Sequence, residues 1–199
     1  MGLIDMKRIF DLLGAVFLLI LFSPLLLAAS FAIVLESGFP VFFKQIRVGK
    51  GGKLFWLYKF RTLRQSSPPL HLDPKEINDL HQFVFPPPPE QELTKVGGFL
   101  RKIGVNELPQ LVNVLKGEMS LVGPRPEVPE IVNLYSDSFK ERLKVKPGIT
   151  SLAYVSGGSA LKLKDGIELD LQYIQNQSFY LDIKILLKTV YVAFSGRGY

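Results

Sequence analysis

The sequence contains no cysteine and only two histidines among its 199 residues. Without cysteine the chain forms no disulfide and has no thiolate chemistry. The histidines, His71 and His81, lie in a polar, proline-containing stretch without a cluster of other ligand residues, so we do not expect a metal site there. Acidic residues are also the minority: 18 Asp and Glu against 24 Lys and Arg give a formal net charge of +6. A basic balance suits phosphates, anionic lipid or nucleic acid. Because no recognition motif or basic helix supports nucleic acid, it is not an expected partner.

Charged side chains are missing altogether from residues 12–35. As a helix this run would reach roughly 36 Å, which exceeds the bilayer core of about 30 Å. A signal peptide is one alternative, but the run is too long for an ordinary apolar region and no clean cleavage site closes it. A plain transmembrane span is the stronger alternative.

Two features favour a re-entrant membrane helix, which enters the bilayer and returns to the same side. Ser23-Pro24 lies in the middle of the run, where proline removes a backbone donor and the serine hydroxyl can bond the freed carbonyls. Basic residues flank both ends, and because cytoplasmic flanks are enriched in Lys and Arg, both ends are predicted to be cytoplasmic. They are Lys7 and Arg8 before the run, and Lys44, Arg47, Lys50, Lys53, Lys59, Arg61 and Arg64 after it. From the residues alone, the re-entrant and spanning topologies both remain open.

The rest of the sequence predicts a small α/β domain, mostly α-helical with a small β element. We expect strands at 41–45 and 54–63, separated by a glycine turn at 49–52. Alternation in the second strand would place Phe55, Leu57, Lys59 and Arg61 on one face and Trp56, Tyr58 and Phe60 on the other. Helices are expected at 94–102, 108–115, 127–145 and 172–194, the last amphipathic and lying on the membrane or the domain. Residues 65–93 are a proline-rich loop insertion, either a mobile surface loop or a stiff polyproline spacer. The predicted organisation is a membrane helix at 1–38 and a membrane-surface domain with amphipathic helices at 39–199.

Several cations surround a short acidic and amide motif, Asn106-Glu107. Asn106 is a favourable N-cap residue and Pro109 suits a first helical turn, so Asn106 either only starts a helix or presents that helix N-terminus to a phosphate. Each cation alone is usually a solvated surface charge. Together, beside a membrane, they predict a diphosphate pocket. These cations are Lys59 and Arg61 on one strand, Arg101 and Lys102 upstream of the motif, and Arg125 between two prolines.

The segment from Arg101 to Pro126, which contains Asn106-Glu107 and Gly123-Pro124-Arg125-Pro126, resembles the core of the bacterial sugar transferase family, the monotopic phosphoglycosyl transferases. Two further motifs match in order, Tyr58-Lys59-Phe60-Arg61-Thr62 and Lys146-Pro147-Gly148-Ile149-Thr150. The resemblance implies a re-entrant helix broken at Ser23-Pro24, at the cytoplasmic face of the bacterial inner membrane. It also implies transfer of a sugar-1-phosphate from a nucleoside diphosphate sugar to polyprenol phosphate, the first step of glycoconjugate biosynthesis. An oligomer is compatible with it.

The resemblance also implies roles for individual residues. In that family an Asp attacks the β-phosphorus and forms a covalent phosphosugar-enzyme, while Mg²⁺ near the Asp-Glu pair neutralises the diphosphate. Asn106 stands at the nucleophile position, so Asn106 and Glu107 are the candidate catalytic residues, and Glu107 is the candidate metal ligand. The candidate substrate-binding residues are Lys59, Arg61, Arg101, Arg125 and Tyr173.

The departures from the family pattern lie at functional positions. A neutral amide at Asn106 lacks the carboxylate charge that covalent catalysis needs and is a poorer magnesium ligand. Downstream, Ser151, Tyr154 and Gly158 stand where the family usually has Gly, Gln and Arg. Two interpretations follow: a phosphoglycosyl transferase, or a catalytically inactive paralogue that serves as a membrane binding or scaffold protein in glycoconjugate assembly.

Overall fold

The computed structural model describes residues 3–67 and 82–195, so His71 and His81 lie outside the described residues. Within them the chain is mostly helical with two small sheets, as predicted, one antiparallel (β1–β2) and one parallel (β3–β4). The helices are α1 (Leu3–Ser37), α2 (Lys95–Lys102), α3 (Leu111–Lys116), α4 (Pro129–Val132), α5 (Asp137–Lys140), α6 (Leu152–Ser156), α7 (Leu163–Gln175) and α8 (Phe179–Ser195). The strands are β1 (Phe42–Val48), β2 (Leu54–Phe60), β3 (Ser120–Val122) and β4 (Gly148–Thr150). Short 3-10 helices include Val105–Gln110 and Glu141–Lys144.

Helix α1 is continuous through Pro24. The predicted interruption at Ser23-Pro24 therefore does not separate two helices. The predicted role of Ser23 is confirmed, because its hydroxyl donates to the carbonyl of Ile20 at 2.8 Å. That carbonyl is the one for which proline provides no N–H. Among the described residues, α1 is the one helix long and apolar enough to cross a membrane.

One side of α1 packs against the rest of the chain, and the other sides are uncovered. Ala15 lies in the main core with Leu57, Leu111 and Val114. Further along, Ala29 and Ile33 pack in a second cluster with Phe60 and Leu100. The remaining surface of α1 is apolar and exposed, at residues that include Leu13, Phe17, Ile20, Leu27, Phe31 and Leu35.

Polar contacts fix both ends of α1 to the same domain. At the first end, Lys7 Nζ lies 2.6 Å from a carboxylate oxygen of Asp182 in α8. Arg8 donates to the carbonyl of Val114 at 2.7 Å, at the C-terminal end of α3. At the other end, the Glu36 carboxylate accepts hydrogen bonds from the backbone N–H groups of Lys95 and Val96, the first turn of α2. A carboxylate at that position is favourable because the first N–H groups of a helix have no partner within it.

The β1–β2 hairpin supplies one wall of the domain. Its register pairs Phe43 with Lys59 and Gln45 with Leu57. The alternation predicted for the second strand holds for Phe55 and Leu57, which are buried, whereas Trp56 is exposed. The strand ends at Phe60, earlier than predicted, so Arg61 leaves the alternation.

Two predicted helices are wrong in extent. Residues 127–145 form α4, α5 and a 3-10 helix instead of one long helix. Pro129 suits only a helix start, and Ser136 begins α5 anew by accepting the N–H of Phe139. Residues 172–194 divide between α7 and α8, with the interruption after Asn176. By contrast, α2 matches its predicted position, and Thr94 is its N-cap.

The predicted N-cap role of Asn106 is also wrong. Gly104, with φ +71°, occupies that position before the 3-10 helix Val105–Gln110, and Asn106 lies inside this helix. The following α3 begins at Leu111, three residues later than the predicted helix at 108–115, and ends at Lys116 before Gly117, which has φ +83°. A left-handed residue at a helix C-terminus is usually glycine because it has no Cβ to clash.

Candidate functional site

Asn113 joins the helical half of the site to the hairpin. Its Nδ2 donates to the carbonyl of Trp56 at 2.7 Å, and its Oδ1 accepts the N–H of Tyr58 at 3.2 Å. Because this side chain is fully buried and bonds two backbone groups of β2, it fixes α3 and the preceding 3-10 helix against the strand. Glu107 in that helix then lies opposite Lys59 at the end of β2.

Glu107 is held between a cation and an amide. Its Oε1 lies 2.7 Å from Lys59 Nζ, and its Oε2 accepts from Gln110 Nε2 at 2.8 Å. Gln110 follows Glu107 by three residues, which places both side chains on one face of the 3-10 helix. The carboxylate is therefore fixed in direction, although each oxygen retains further acceptor capacity.

The Lys59 ammonium lies in an environment that weakens its hold on a proton. Burial lowers its pKa from 10.5 to about 8, with smaller contributions from the positive charges of Arg125 and Arg47, while Glu107 raises it. The Lys59 ammonium therefore loses its proton at a pH close to the physiological value. An anionic ligand placed beside it would raise that pKa again.

Asn106 is buried beside this pair, with 4% of its surface exposed. Its Oδ1 has no hydrogen-bond partner among the described residues. An unsatisfied buried polar atom costs about 1–3 kcal/mol, so its persistence in a native site calls for an explanation such as a ligand or ion. Asn106 and Glu107 together offer an amide oxygen and a carboxylate, the donor types that Mg²⁺ accepts. The residues present therefore fit a magnesium ion.

The segment that carries Arg125 is tightly anchored. Gly123 N–H donates to Thr150 O at 3.0 Å, and Gly148 N–H donates to Pro124 O at 2.9 Å. A Cβ on Gly148 would lie 2.1 Å from the nitrogen of Gly123, so this close approach requires glycine. Arg125 itself projects outward from this support, because its side chain is exposed.

Two arginines hold the backbone of the same segment. Arg47 Nη1 donates to the carbonyl of Pro126 at 3.0 Å. Arg142 Nη2 donates to the carbonyl of Arg125 at 2.9 Å, and the same guanidinium bonds Asp170 and the hydroxyl of Tyr135. Burial raises the pKa of Asp170 to about 6, although the charge of Arg142 lowers it. The exposed Arg125 is thus supported by a buried ion pair.

The predicted site residues do not all gather at this cluster. The structure pairs Glu107 with Lys59, with Arg125 near enough to influence the pKa of Lys59, and Asn106 is the buried residue before Glu107 in the same 3-10 helix. Arg101 lies in the last turn of α2, half-buried, three residues before Gly104, the N-cap of the 3-10 helix. The other candidates are described separately.

Arg61 and Tyr173 occupy different places. The Arg61 guanidinium donates to the carbonyls of Ser37 and Gly38 at 2.9 and 2.6 Å, so it holds the end of α1. Tyr173 is buried in the core, where its hydroxyl donates to Asp182 Oδ1 at 2.6 Å. Asp182 also pairs with Lys7 near the start of α1. Their predicted roles in substrate binding stay predictions.

Tyr154 is a site residue that the sequence analysis noted only as a departure from the family pattern. Burial raises the pKa of its hydroxyl, with Glu107 raising it further and Arg125 lowering it. The Tyr154 hydroxyl therefore lies close enough to Glu107 and Arg125 for their charges to change its pKa, and it is neutral at physiological pH. Gln110, three residues after Glu107, was the other residue that helical spacing could have identified.

The fold and the site together define a small domain with one long apolar helix and cations placed around a buried carboxylate. A profile of the family described as bacterial sugar transferase matches residues 3–196. The chain belongs to the bacterial sugar transferase family.

Individual relatives support this membership. The chain is 46% identical over 185 residues to the uncharacterized sugar transferase EpsL of Bacillus subtilis, which covers 93% of this chain and 85% of the relative. It is 41% identical over 198 residues to the UDP-N-acetylgalactosamine-undecaprenyl-phosphate N-acetylgalactosaminephosphotransferase of Aeromonas hydrophila, covering 96% of this chain and 44% of that protein. It is 39% identical over 194 residues to the UDP-glucose:undecaprenyl-phosphate glucose-1-phosphate transferase of Caulobacter vibrioides, covering 92% and 68%. The chain thus spans less than half of the Aeromonas relative.

Proposed function

We propose that the chain is a phosphoglycosyl transferase domain that binds a nucleoside diphosphate sugar and polyprenol phosphate for bacterial glycan biosynthesis. The observation that carries this proposal is the cluster of Lys59, Glu107 and Asn106 beside Arg125. Cations of this kind neutralise a diphosphate, and the Aeromonas and Caulobacter relatives are named as transferases that act with undecaprenyl phosphate and a UDP-sugar.

Magnesium is part of this proposal. Asn106 and Glu107 would hold the ion, which would neutralise negative charge on the diphosphate. The described residues contain no group of three or more His, Asp or Glu that could hold a metal ion. Phosphate oxygens and water would complete the coordination, as is usual for Mg²⁺.

A second candidate function is favoured by Asn106 itself. The family's covalent step needs a carboxylate at this position, and Glu107 is already bonded to Lys59 and Gln110. Under this alternative the chain binds donor or acceptor without turnover, as a scaffold in glycoconjugate assembly. A turnover assay with UDP-glucose and UDP-N-acetylgalactosamine, on this chain and on Asn106→Asp, separates the two.

We also propose that α1 is re-entrant and that the domain lies at the cytoplasmic face. The support is that α8 and α3 hold one end of α1 while α2 holds the other. The two clusters along α1 are contiguous, since Leu108 packs against both. A helix that crossed the bilayer would place these ends on opposite sides, about 30 Å apart. One contiguous domain holding both ends fits a return to the same side.

Cysteines at Met6 and Lys95 should both be protected from an impermeant maleimide in intact spheroplasts. Both should react in inside-out vesicles. The natural chain has no cysteine, so the background is clean. Labelling of one position from outside and the other from inside would establish a span. Ser23→Ala with Pro24→Ala should shift the labelling towards that spanning pattern, because it removes the residue that favours a kink in a helix.

Removing a cluster cation should weaken donor binding. Loss of a charged hydrogen bond costs about 1.5–3 kcal/mol, or roughly ten- to a hundred-fold in affinity. We expect this loss for Lys59→Gln and Arg125→Gln in the cluster, and for Arg101→Gln at the end of α2, measured by calorimetry with UDP-glucose and UDP-N-acetylgalactosamine. Lys164→Gln, which removes the same charge from α7, is the matched control. Unchanged affinity in all three variants would place the pocket elsewhere.

The affinity of the unmodified chain should fall as pH rises above about 8, the pKa of Lys59 without ligand. The sign follows because an anionic ligand raises that pKa, so the complex holds more protons than the free site. Lys59→Gln should remove this part of the pH dependence.

A further inference from the structure

The β1–β2 hairpin has two different faces. One face packs inward, where Phe55 and Leu57 are buried and Lys59 meets Glu107. The opposite face carries large side chains that the described residues leave uncovered, and Trp56 is 52% exposed. A contiguous exposed apolar patch indicates an interaction site. We call this patch the hairpin outer face, and it consists of Lys44, Ile46, Leu54, Trp56 and Tyr58.

The hairpin outer face continues the surface of α1. Phe60 belongs to the same face of β2 and is buried against Ala29 and Ile33 of α1. Phe42, its partner in β1, stacks on it with ring centres 5.5 Å apart. Phe60 and Phe42 therefore connect the hairpin outer face to the second half of α1.

The charged side chains of the hairpin itself are all basic. Residues 37–67 contain no Asp or Glu. Lys44 Nζ lies 5.6 Å from the ring centre of Tyr58, and Lys116 Nζ lies 4.9 Å from the same ring and bonds its hydroxyl at 3.1 Å. Trp and Tyr are enriched where a protein meets the membrane–water interface. Lysines at that interface are attracted to anionic lipid.

We propose that the hairpin outer face is a lipid-contact surface that lies in the anionic headgroup region beside α1. A second copy of the chain is a poorer occupant, because a two-fold interface would set the same lysines against one another. The inference rests on the proposed membrane association of α1. It adds a second, peripheral contact that would orient the domain and fix the height of Lys59 and Glu107 above the bilayer.

Trp56 is the only tryptophan in the chain, so its emission reports on this face alone. The full chain would be reconstituted into vesicles of phosphatidylcholine and phosphatidylglycerol, with bromine on the acyl chains either near the headgroups or near the bilayer centre. We expect a blue-shifted emission, quenching mainly by the shallow bromines, and protection from aqueous acrylamide. The matched control is Trp56→Phe with Phe31→Trp, which moves the reporter to the exposed side of α1 and should be quenched by deep bromines.

The control separates the two proposals. If the Phe31 reporter is quenched while Trp56 stays accessible to acrylamide and unaffected by bromine, the hairpin inference is wrong and the membrane helix stands. If Trp56 is protected from acrylamide but unaffected by bromine, protein covers the face, which also overturns the inference. If neither reporter is quenched and the chain does not float with the vesicles, both proposals fail.

A charge variant tests the headgroup contact directly. The equilibrium constant for contact between the hairpin and the bilayer is obtained from the quenched fraction of Trp56 as phosphatidylglycerol increases. Lys44→Gln should reduce this docking constant by about five-fold. Lys164→Gln makes the same change in net charge on α7 and should leave that constant unchanged. Equal effects of the two variants would show that only overall charge matters and would overturn the specific contact.

Discussion

Replacing Arg142 by methionine should lower the free energy of unfolding by about 3–5 kcal/mol, the usual cost of leaving one member of a buried ion pair alone. Arg142 and Asp170 are both buried, and the guanidinium also bonds Tyr135 and the carbonyl of Arg125. For a chain of this size the midpoint of thermal unfolding should fall by about 6–20 °C. The measurement is thermal unfolding of the purified chain in detergent.

The pH dependence of that variant gives an independent check. Burial already raises the pKa of Asp170 from 3.8 to about 6, and removal of Arg142 should raise it further. Asp170 in the folded variant then holds a proton that the unfolded chain releases. The free energy of unfolding should therefore fall as pH rises from 3.8 through the raised pKa of Asp170. Asp170→Leu in the same variant should recover most of the stability and remove this slope, because an apolar pair avoids the unpaired charge.

Lys144→Met is the matched control, since it removes an ion pair with Glu141 that is exposed. Surface pairs contribute about 0–1 kcal/mol, so a loss comparable to that of Arg142→Met would refute the argument from burial. The recovered double variant also has a functional readout. It should remain folded but bind donor more weakly, because nothing at position 142 then holds the carbonyl of Arg125.

Local sequence patterns predicted the helices and strands of this chain better than they predicted the contacts between them. The apolar run, the bond from Ser23 to the carbonyl of Ile20 and the caps at Thr94 and Gly117 all follow from neighbouring residues. The predicted helix at 127–145 failed because apolar periodicity outweighed the start signals at Pro129 and Ser136. These signals are also local, so the sequence contained the information.

The candidate site shows a different limit. The pairing of Lys59 with Glu107 depends on Asn113, whose two bonds to β2 join residues more than fifty positions apart. No local spacing distinguishes this Asn from a solvated one. Lys59 and Arg61 were predicted to share a face, but β2 ends between them, and Arg61 turns to the end of α1. Strand ends depend on tertiary packing, which periodicity does not contain.

Asn106→Asp should give a chain that forms a phosphosugar adduct, with a gain in turnover over the unmodified chain on the order of a thousand-fold or more. By analogy with the family, a carboxylate oxygen at this position would bond the β-phosphorus while the bond to the bridging oxygen breaks and nucleoside monophosphate leaves. The buried site beside Lys59 and Glu107 already holds the side chain that would carry this oxygen. The measurements are intact mass with UDP-glucose or UDP-N-acetylgalactosamine, and turnover with undecaprenyl phosphate and Mg²⁺.

Two control variants accompany Asn106→Asp. Asn106→Ala should match the unmodified chain, and Glu107→Gln in the Asn106→Asp background should abolish the gain, because the pairing with Lys59 is lost. If Asn106→Asp binds donor yet forms no adduct, the lesion extends to Ser151, Tyr154 and Gly158, and the non-catalytic function is supported. Tyr154 is the first of these to revert, to Gln, because its hydroxyl lies in the electrostatic neighbourhood of Glu107 and Arg125. A phosphosugar adduct on the unmodified chain would instead show that Glu107 can leave Lys59 and Gln110 to act as the nucleophile, and would overturn the role assigned to position 106.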